Sequence, residues 1–215
     1  MIQRGITFNN IHSFRNLNLL LSKAEIPPAT PKTNYVDVPG SDIPLDLTEA
    51  LGKVHYSPRE CKFTFTMNPS GGLSEGAFEA KKKEVSNALN GLACTITLDK
   101  DPDYFYKGRC SVDEYLSDKK IRQFVIKATV HPYKYKNGLT VVSVAAGSHI
   151  LLNDRMAVVP TIETTAETKL TFNGNTYSVN AGTHKILDIE LKEGENAVTV
   201  ETEGTVTFTY QEGAL

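Results

Sequence analysis

Cys61-Lys62-Phe63-Thr64-Phe65-Thr66-Met67 alternates without a break. Cys61, Phe63, Phe65 and Met67 fall on one face and Lys62, Thr64 and Thr66 on the other, the period of a half-buried strand. Downstream, Pro69-Ser70-Gly71-Gly72 breaks the chain. Residues 74–89 then change period. Phe78, Val85 and Leu89 recur at helical spacing with Ala88 alongside. Ser74 suits the N-cap, and Asn90-Gly91 offers residues that end a helix in the left-handed conformation. No other segment of the chain carries so clear a helical period. The fold class expected is therefore mainly β with one helix.

Further along come Cys94–Leu98 (CTITL), a turn at Asp99-Lys100-Asp101-Pro102, and an aromatic strand at Tyr104-Phe105-Tyr106. Residues 121–131 place Phe124, Ile126, Ala128 and Val130 on one face, and Pro132, which lacks a ladder donor, is expected to end that strand. Upstream, residues 2–8 alternate imperfectly and predict an opening strand. Residues 25–42 (EIPPATPKTNYVDVPGSD) carry Pro27, Pro28, Pro31 and Pro39. Each fixes φ and removes a donor, so the segment reads as extended and without internal hydrogen bonds. It is either a surface loop or an arm lying on a neighbouring subunit.

Near residue 135 the texture changes, and only short strands and tight turns follow. Leu170 and Phe172 lead into Asn173-Gly174, and Tyr177 and Val179 lead out. Asn-Gly between strands is a strong type I′ hairpin signal, because both central residues need positive φ. Leu187, Ile189 and Leu191 alternate with Asp188, Glu190 and Lys192, and turns at Glu193–Asn196 and Gly204 separate further strands. Turns about every ten residues predict an antiparallel sandwich. Two units are expected, 1–136 and 137–215.

Charge is uneven between them. Residues 1–135 hold 18 Lys and Arg against 15 Asp and Glu, and residues 136–215 hold 5 against 10. The acidic second part lacks the cations that phosphate binding needs, and the excess in the first is too small to indicate duplex binding. No apolar stretch of about 18 residues is present, so no membrane-inserted helix is expected. Met1-Ile2-Gln3-Arg4-Gly5 shows no signal-peptide core. Three cysteines, Cys61, Cys94 and Cys110, an odd number without paired spacing, read as free thiols of a reducing cytosol.

Catalytic chemistry is not evident. His12, His55, His131, His149 and His184 have no partner at metal-ligand spacing, and read as structural or solvated. There is no GxSxG elbow, no phosphate loop and no CxxC. Asp99, Asp101 and Asp103 alternate, but the Gly and closing Glu of a calcium loop are missing and Pro102 intervenes. Glu193 and Glu195 flank a turn and read as solvated. A sugar-binding module would favour exposed aromatics, above all Trp. The chain has no Trp, and Tyr177 and Tyr210 fit core positions. No catalytic, cofactor or metal residues are assigned.

The order of motifs in the first unit resembles the distal tail proteins of long-tailed phages and prophages. Val38-Pro39-Gly40-Ser41-Asp42 followed by Leu45-Asp46-Leu47-Thr48, Arg59 to Phe65, Leu89-Asn90-Gly91, Leu98 to Arg109, and Val130-His131-Pro132-Tyr133 carry the resemblance over about residues 35–135. Ile43 and Asn9-Asn10 stand where that family usually has glycine. The second unit resembles, through Gly194-Glu195-Asn196 and the strand ending at Tyr210, the galectin-like sandwich that follows in many members. The resemblance implies an N-terminal β-sandwich or barrel-like ring domain, a non-enzymatic role and no cofactor. It implies a homohexameric ring at the virion tail tip, made in the bacterial cytoplasm. Such a ring joins the tail tube to a baseplate or fibre protein and lets DNA pass without specific binding. Pro27, Pro28, Pro31 and Tyr35 of the arm, with Lys81 and Lys82 of the helix, are the expected interface residues. The alternative roles are an adhesin module that binds host-surface glycans and a hydrolase with residues scattered in sequence. In the run Lys81-Lys82-Lys83 the choice is between a solvated face and a channel or partner contact.

Overall fold

The computed structural model describes residues 5–50, 52–68, 74–117 and 121–215. The Pro69–Gly72 break and positions 2–4 of the opening strand lie outside them. Two compact units span Met1–Pro132 and Tyr133–Leu215.

The first unit contains β1 (Ile6–Phe8), β2 (Ile11–His12), β3 (Leu19–Glu25), β4 (Tyr35–Val36), β5 (Leu45–Asp46), β6 (Arg59–Met67), α1 (Glu75–Leu89), β7 (Ala93–Leu98), β8 (Asp101–Ser117) and most of β9 (Arg122–Lys136). All but β4 and β5 of its strands form one sheet in the order β2-β1-β7-β8-β9-β6-β3. This sheet curls. Phe8 on β1 meets Phe63 and Phe65 on β6 edge-on, at 6.2 and 6.1 Å between ring centres, although three strands separate β1 from β6 in the sheet. The inward residues of every strand therefore share one core with Phe78, Val85 and Leu89 of α1.

The quoted stretch behaves as its alternation requires. Cys61, Phe63, Phe65 and Met67 are buried, while the residues between them are not. Ser74 caps α1, its hydroxyl accepting the Ala77 amide at 3.2 Å. Gly91, at φ +76°, carries the left-handed turn after the helix, while Asn90 stays extended. Asn9, where the resembled family has glycine nearby, itself takes φ +52°.

Several expectations need correction. β8 starts at Asp101 and runs through Pro102 to Ser117, so the turn is only Asp99-Lys100 and the aromatic strand is far longer than expected. β9 likewise continues through Pro132 to Lys136. Its pairing with β6 ends at Val130 opposite Arg59, so the missing Pro132 amide removes nothing from that ladder. Residues 25–42 are not a single extended arm without hydrogen bonds. Gly40, at φ +83°, helps turn the chain, and β4 pairs with β5 as a short hairpin, Val36 opposite Leu45.

The second unit holds β10 (Thr140–Val144), β11 (Gly147–Asn153), β12 (Thr161–Thr164), β13 (Thr168–Phe172), β14 (Asn175–Val179), β15 (Gly182–His184), β16 (Gly194–Thr202), β17 (Val206–Tyr210) and β18 (Gly213–Ala214). Two four-stranded antiparallel sheets, β10-β17-β12-β15 and β11-β16-β13-β14, form the expected sandwich. Leu151, Ile162, Leu170, Phe172, Val198, Val200, Val206 and Phe208 fill its core. Asn173 (φ +49°) and Gly174 (φ +81°) make the β13–β14 hairpin turn, as the type I′ reading requires. The alternation over Leu187–Leu191 is not a strand. Ile189 donates to Ile186 in a turn, Leu187 is exposed, and only Leu191 bridges, to Val158.

Candidate assembly surface

The exposed arm is the part of the first unit that its own core leaves uncovered. Its root is fixed. Lys32 donates to the His55 carbonyl and Ser57 to that of Thr30, at 2.8 and 2.9 Å, and Pro31 bridges to Tyr56. Buried Arg59 secures the base. Its Nε donates to the Pro132 carbonyl at 2.7 Å, a second nitrogen bonds the same oxygen, and a third reaches the Pro27 carbonyl at 3.4 Å. One guanidinium thus ties the start of the arm to β9, a use of the five-donor fork that Lys could not supply. Nothing in the sequence pattern marked Arg59 for this. Its position on the buried face of an alternating strand was the only available signal.

Beyond the root, local bonds shape the tip. Leu47 donates to the Asn34 carbonyl at 2.8 Å and Asn34 to the Thr48 hydroxyl at 3.0 Å. Bonds from the Thr48 hydroxyl and amide hold the Asp46 carboxyl below its ordinary range. Between Thr33 and Ala50 the only charges are Asp37, Asp42, Asp46 and Glu49, all acidic. The same segment exposes large apolar side chains: Tyr35 57%, Val36 44%, Val38 44%, Ile43 77% and Leu45 52%. Five such side chains lie within eleven residues of one short segment.

The sequence-derived interface residues therefore divide. Pro27, Pro28, Pro31 and Tyr35 all lie exposed on the arm or its root. Lys81 and Lys82 lie on α1, half-buried. Lys81 pairs with Glu84 at 2.5 Å and Lys82 with Glu79 at 2.6 Å. The Lys82 ammonium stands 4.6 Å from the Phe78 ring centre and 5.4 Å from that of Tyr115. Its solvated-face reading is thus only partly met, because the aliphatic stem and charge cover aromatic surface.

The histidines act structurally where their bonds are seen. His12 Nδ1 accepts the amides of Phe14 and Arg15 at 3.1 Å each, so Nε2 carries the proton and donates to Asp99, 3.1 Å away. Asp99 also accepts the Gly5 amide at 2.8 Å. His149 and His184 bond the carbonyls of Ala145 and Asn180, each four residues back. Among the described residues no group of three or more His, Cys, Asp or Glu could hold a metal ion, and no helix is long and apolar enough to cross a membrane. In the second unit a groove of about 690 Å3 is lined by Ala146, Thr168, Lys169, Glu167, Glu201 and Glu203 among others, with no aromatic side chain. Tyr210 is buried and its hydroxyl donates to the Leu152 carbonyl at 2.5 Å. Tyr177 packs partly buried against the same core.

No family model matches the chain, and no curated protein matches it. Among solved structures it is similar to the Dit protein (gp 19.1) of phage SPP1, presented as a paradigm of the hub adsorption apparatus in phages infecting Gram-positive bacteria. The TM-score is 0.72 at 14% identity, over 99% of both chains. The chain thus shares the fold of that tail-hub protein over nearly its whole length, where the motif order had pointed to it for about residues 35–135.

Proposed function

We propose that this protein is a structural component of a phage tail tip, a ring of identical copies that joins the tail tube to the baseplate or receptor-binding proteins. In this reading the first unit (to about residue 136) builds the ring, hexameric by analogy, and the second is a galectin-like domain projecting from it. DNA passes through the central channel without specific binding, which suits a first unit of nearly balanced charge. The protein works by shape and self-association and catalyses nothing.

The observation that carries the proposal is the acidic, apolar arm on a unit that otherwise has the fold of a tail-hub protein. A closed ring needs a heterologous interface, one surface meeting a different one on the next copy. An extended hairpin with backbone groups at its edges is suited to lie along a neighbour's sheet. The test is deletion of Tyr35–Asp46, bridged by two glycines so that the bonded root is kept, with rings of the parent protein imaged by negative-stain microscopy. The deletion protein is expected to keep its strand-rich circular dichroism and to sediment as a monomer. Rings of unchanged size from the deletion protein would remove the arm from the interface.

A further inference from the structure

Two of the three cysteines meet. The Sγ atoms of Cys94 on β7 and Cys110 on β8 stand 2.6 Å apart, both thiols free and buried. They come from positions 16 residues apart in sequence, a separation with no motif value. The sheet register explains the encounter. Cys94 lies opposite Gly108, and the Cys110 amide donates to the Leu92 carbonyl at 2.9 Å. The two cysteines are therefore diagonal neighbours on the inward face, a relation that brings side chains within reach of one another. Cys61, the third cysteine, sits on β6 opposite Ala128.

The two thiols are not equivalent. Cys110 is fully enclosed, whereas Cys94 is 6% exposed. Cys94 also belongs to the wall of an open groove of about 510 Å3 shared with Lys107, Arg109 and His131. The hydrogen bond from Cys110 holds the Cys94 thiol below its usual range, against the effect of burial and helped by the Arg109 charge. The same bond and burial push Cys110 up. A thiol in the wall of a groove, touching a second thiol enclosed behind it, is the arrangement in which one cysteine is oxidised first and the other resolves it.

We infer that Cys94 and Cys110 are an oxidation site, which a peroxide closes into an intramolecular disulfide stapling β7 to β8. The Cys94 thiolate attacks one peroxide oxygen. A sulfur–oxygen bond forms, the oxygen–oxygen bond breaks, and the departing hydroxide takes up a proton to become water. The Cys110 sulfur then attacks the Cys94 sulfenic sulfur, and its proton leaves with the hydroxyl as a second water. Two thiols are oxidised by two electrons and the peroxide is reduced by two. Cys61 takes no part, having neither contact with a second sulfur nor a stabilised thiolate; burial pushes it up to about 11.

The test uses the full chain, purified reduced, exposed to hydrogen peroxide, then denatured and alkylated. Read before alkylation, titratable thiols should fall from three to one, with a monomer two hydrogens lighter. Peptide mapping should join Cys94 to Cys110 and find Cys61 alkylated, and dithiothreitol should restore all three thiols. In the variant Cys110→Ser, Cys94 should instead be captured as the sulfenic acid by dimedone, with no two-hydrogen loss. Three thiols persisting under peroxide would overturn the inference. So would a crosslink through Cys61, a crosslink only between chains, or sulfinic acid on Cys94 beside a free Cys110. If Cys110→Ser does not fold, the map of the unaltered protein decides alone.

Discussion

Gly108 shows how one residue can be fixed by its neighbours across a sheet. A Cβ at this position would lie 2.3 Å from the Thr129 carbonyl oxygen and 2.7 Å from the Val130 Cα. Both are backbone atoms of β9, so a side chain cannot be accommodated by a rotamer change. The strands themselves would have to part. Gly108→Ala should therefore destabilise the protein by about 1–3 kcal/mol, the usual range for overpacking. The check is urea unfolding, where the midpoint should fall at an unchanged slope. An unaltered midpoint would mean that β8 and β9 separate without cost. In sequence, Gly108 was visible only as a glycine before an arginine in a motif resembling distal tail proteins. Its physical reason needed β9, more than 20 residues downstream. Arg59 was hidden for the same reason, since its partners Pro27 and Pro132 lie 32 and 73 residues away. The Cys94–Cys110 pair was hidden too, because spacing alone cannot reveal a diagonal contact.

At the scale of elements, what was legible followed from local period. β6, α1 and the Asn173-Gly174 hairpin each satisfy one face or one turn with residues adjacent in sequence. What was misread depended on a distant partner. Pro132 looked like a strand end because a proline lacks a donor, but whether the donor is needed depends on the ladder it would have joined; Pro102, read as part of a turn, lies inside β8. Leu187–Leu191 showed period two, yet Ile189 and Leu191 are buried from a turn and a single bridge. The arm's hairpin escaped notice because its pairing is two residues long on each side. The helix carries the most direct energetic test. Phe78 is fully buried and meets the Phe124 ring edge-on at 5.4 Å. Arg122 and Lys82 stand over its ring at 5.0 and 4.6 Å. Phe78→Ala leaves a cavity and removes the surface beneath two cations, so a loss of about 3–5 kcal/mol is expected. Thermal or urea unfolding would measure it. A loss below about 1 kcal/mol would indicate that α1 is not held by this residue.

For the molecule as a whole, the decisive question is whether the arm's apolar side chains are there for a neighbour. Ile43 separates the two possibilities, because it is 77% exposed in the single chain. Its only near bonds are through its backbone, its amide donating to the Ser41 hydroxyl and its carbonyl accepting from it. An exposed position of this kind contributes little to folding, so Ile43→Asp should change stability by no more than about 0.5 kcal/mol. If the hairpin is covered on assembly, the same change places a carboxylate in an apolar contact beside Asp42 and Asp46. Burying an unpaired charge is costly enough to abolish association. The expected result is a normally folded monomer where the parent forms rings, read by sedimentation and negative-stain microscopy. The second unit gives an internal control, since its own core of Leu151, Phe172, Val200 and Phe208 is untouched by the substitution. Unchanged rings from Ile43→Asp would show that the hairpin tip is free in the assembly. A parent protein that stays monomeric and binds a glycan array would replace the architectural role with an adhesive one.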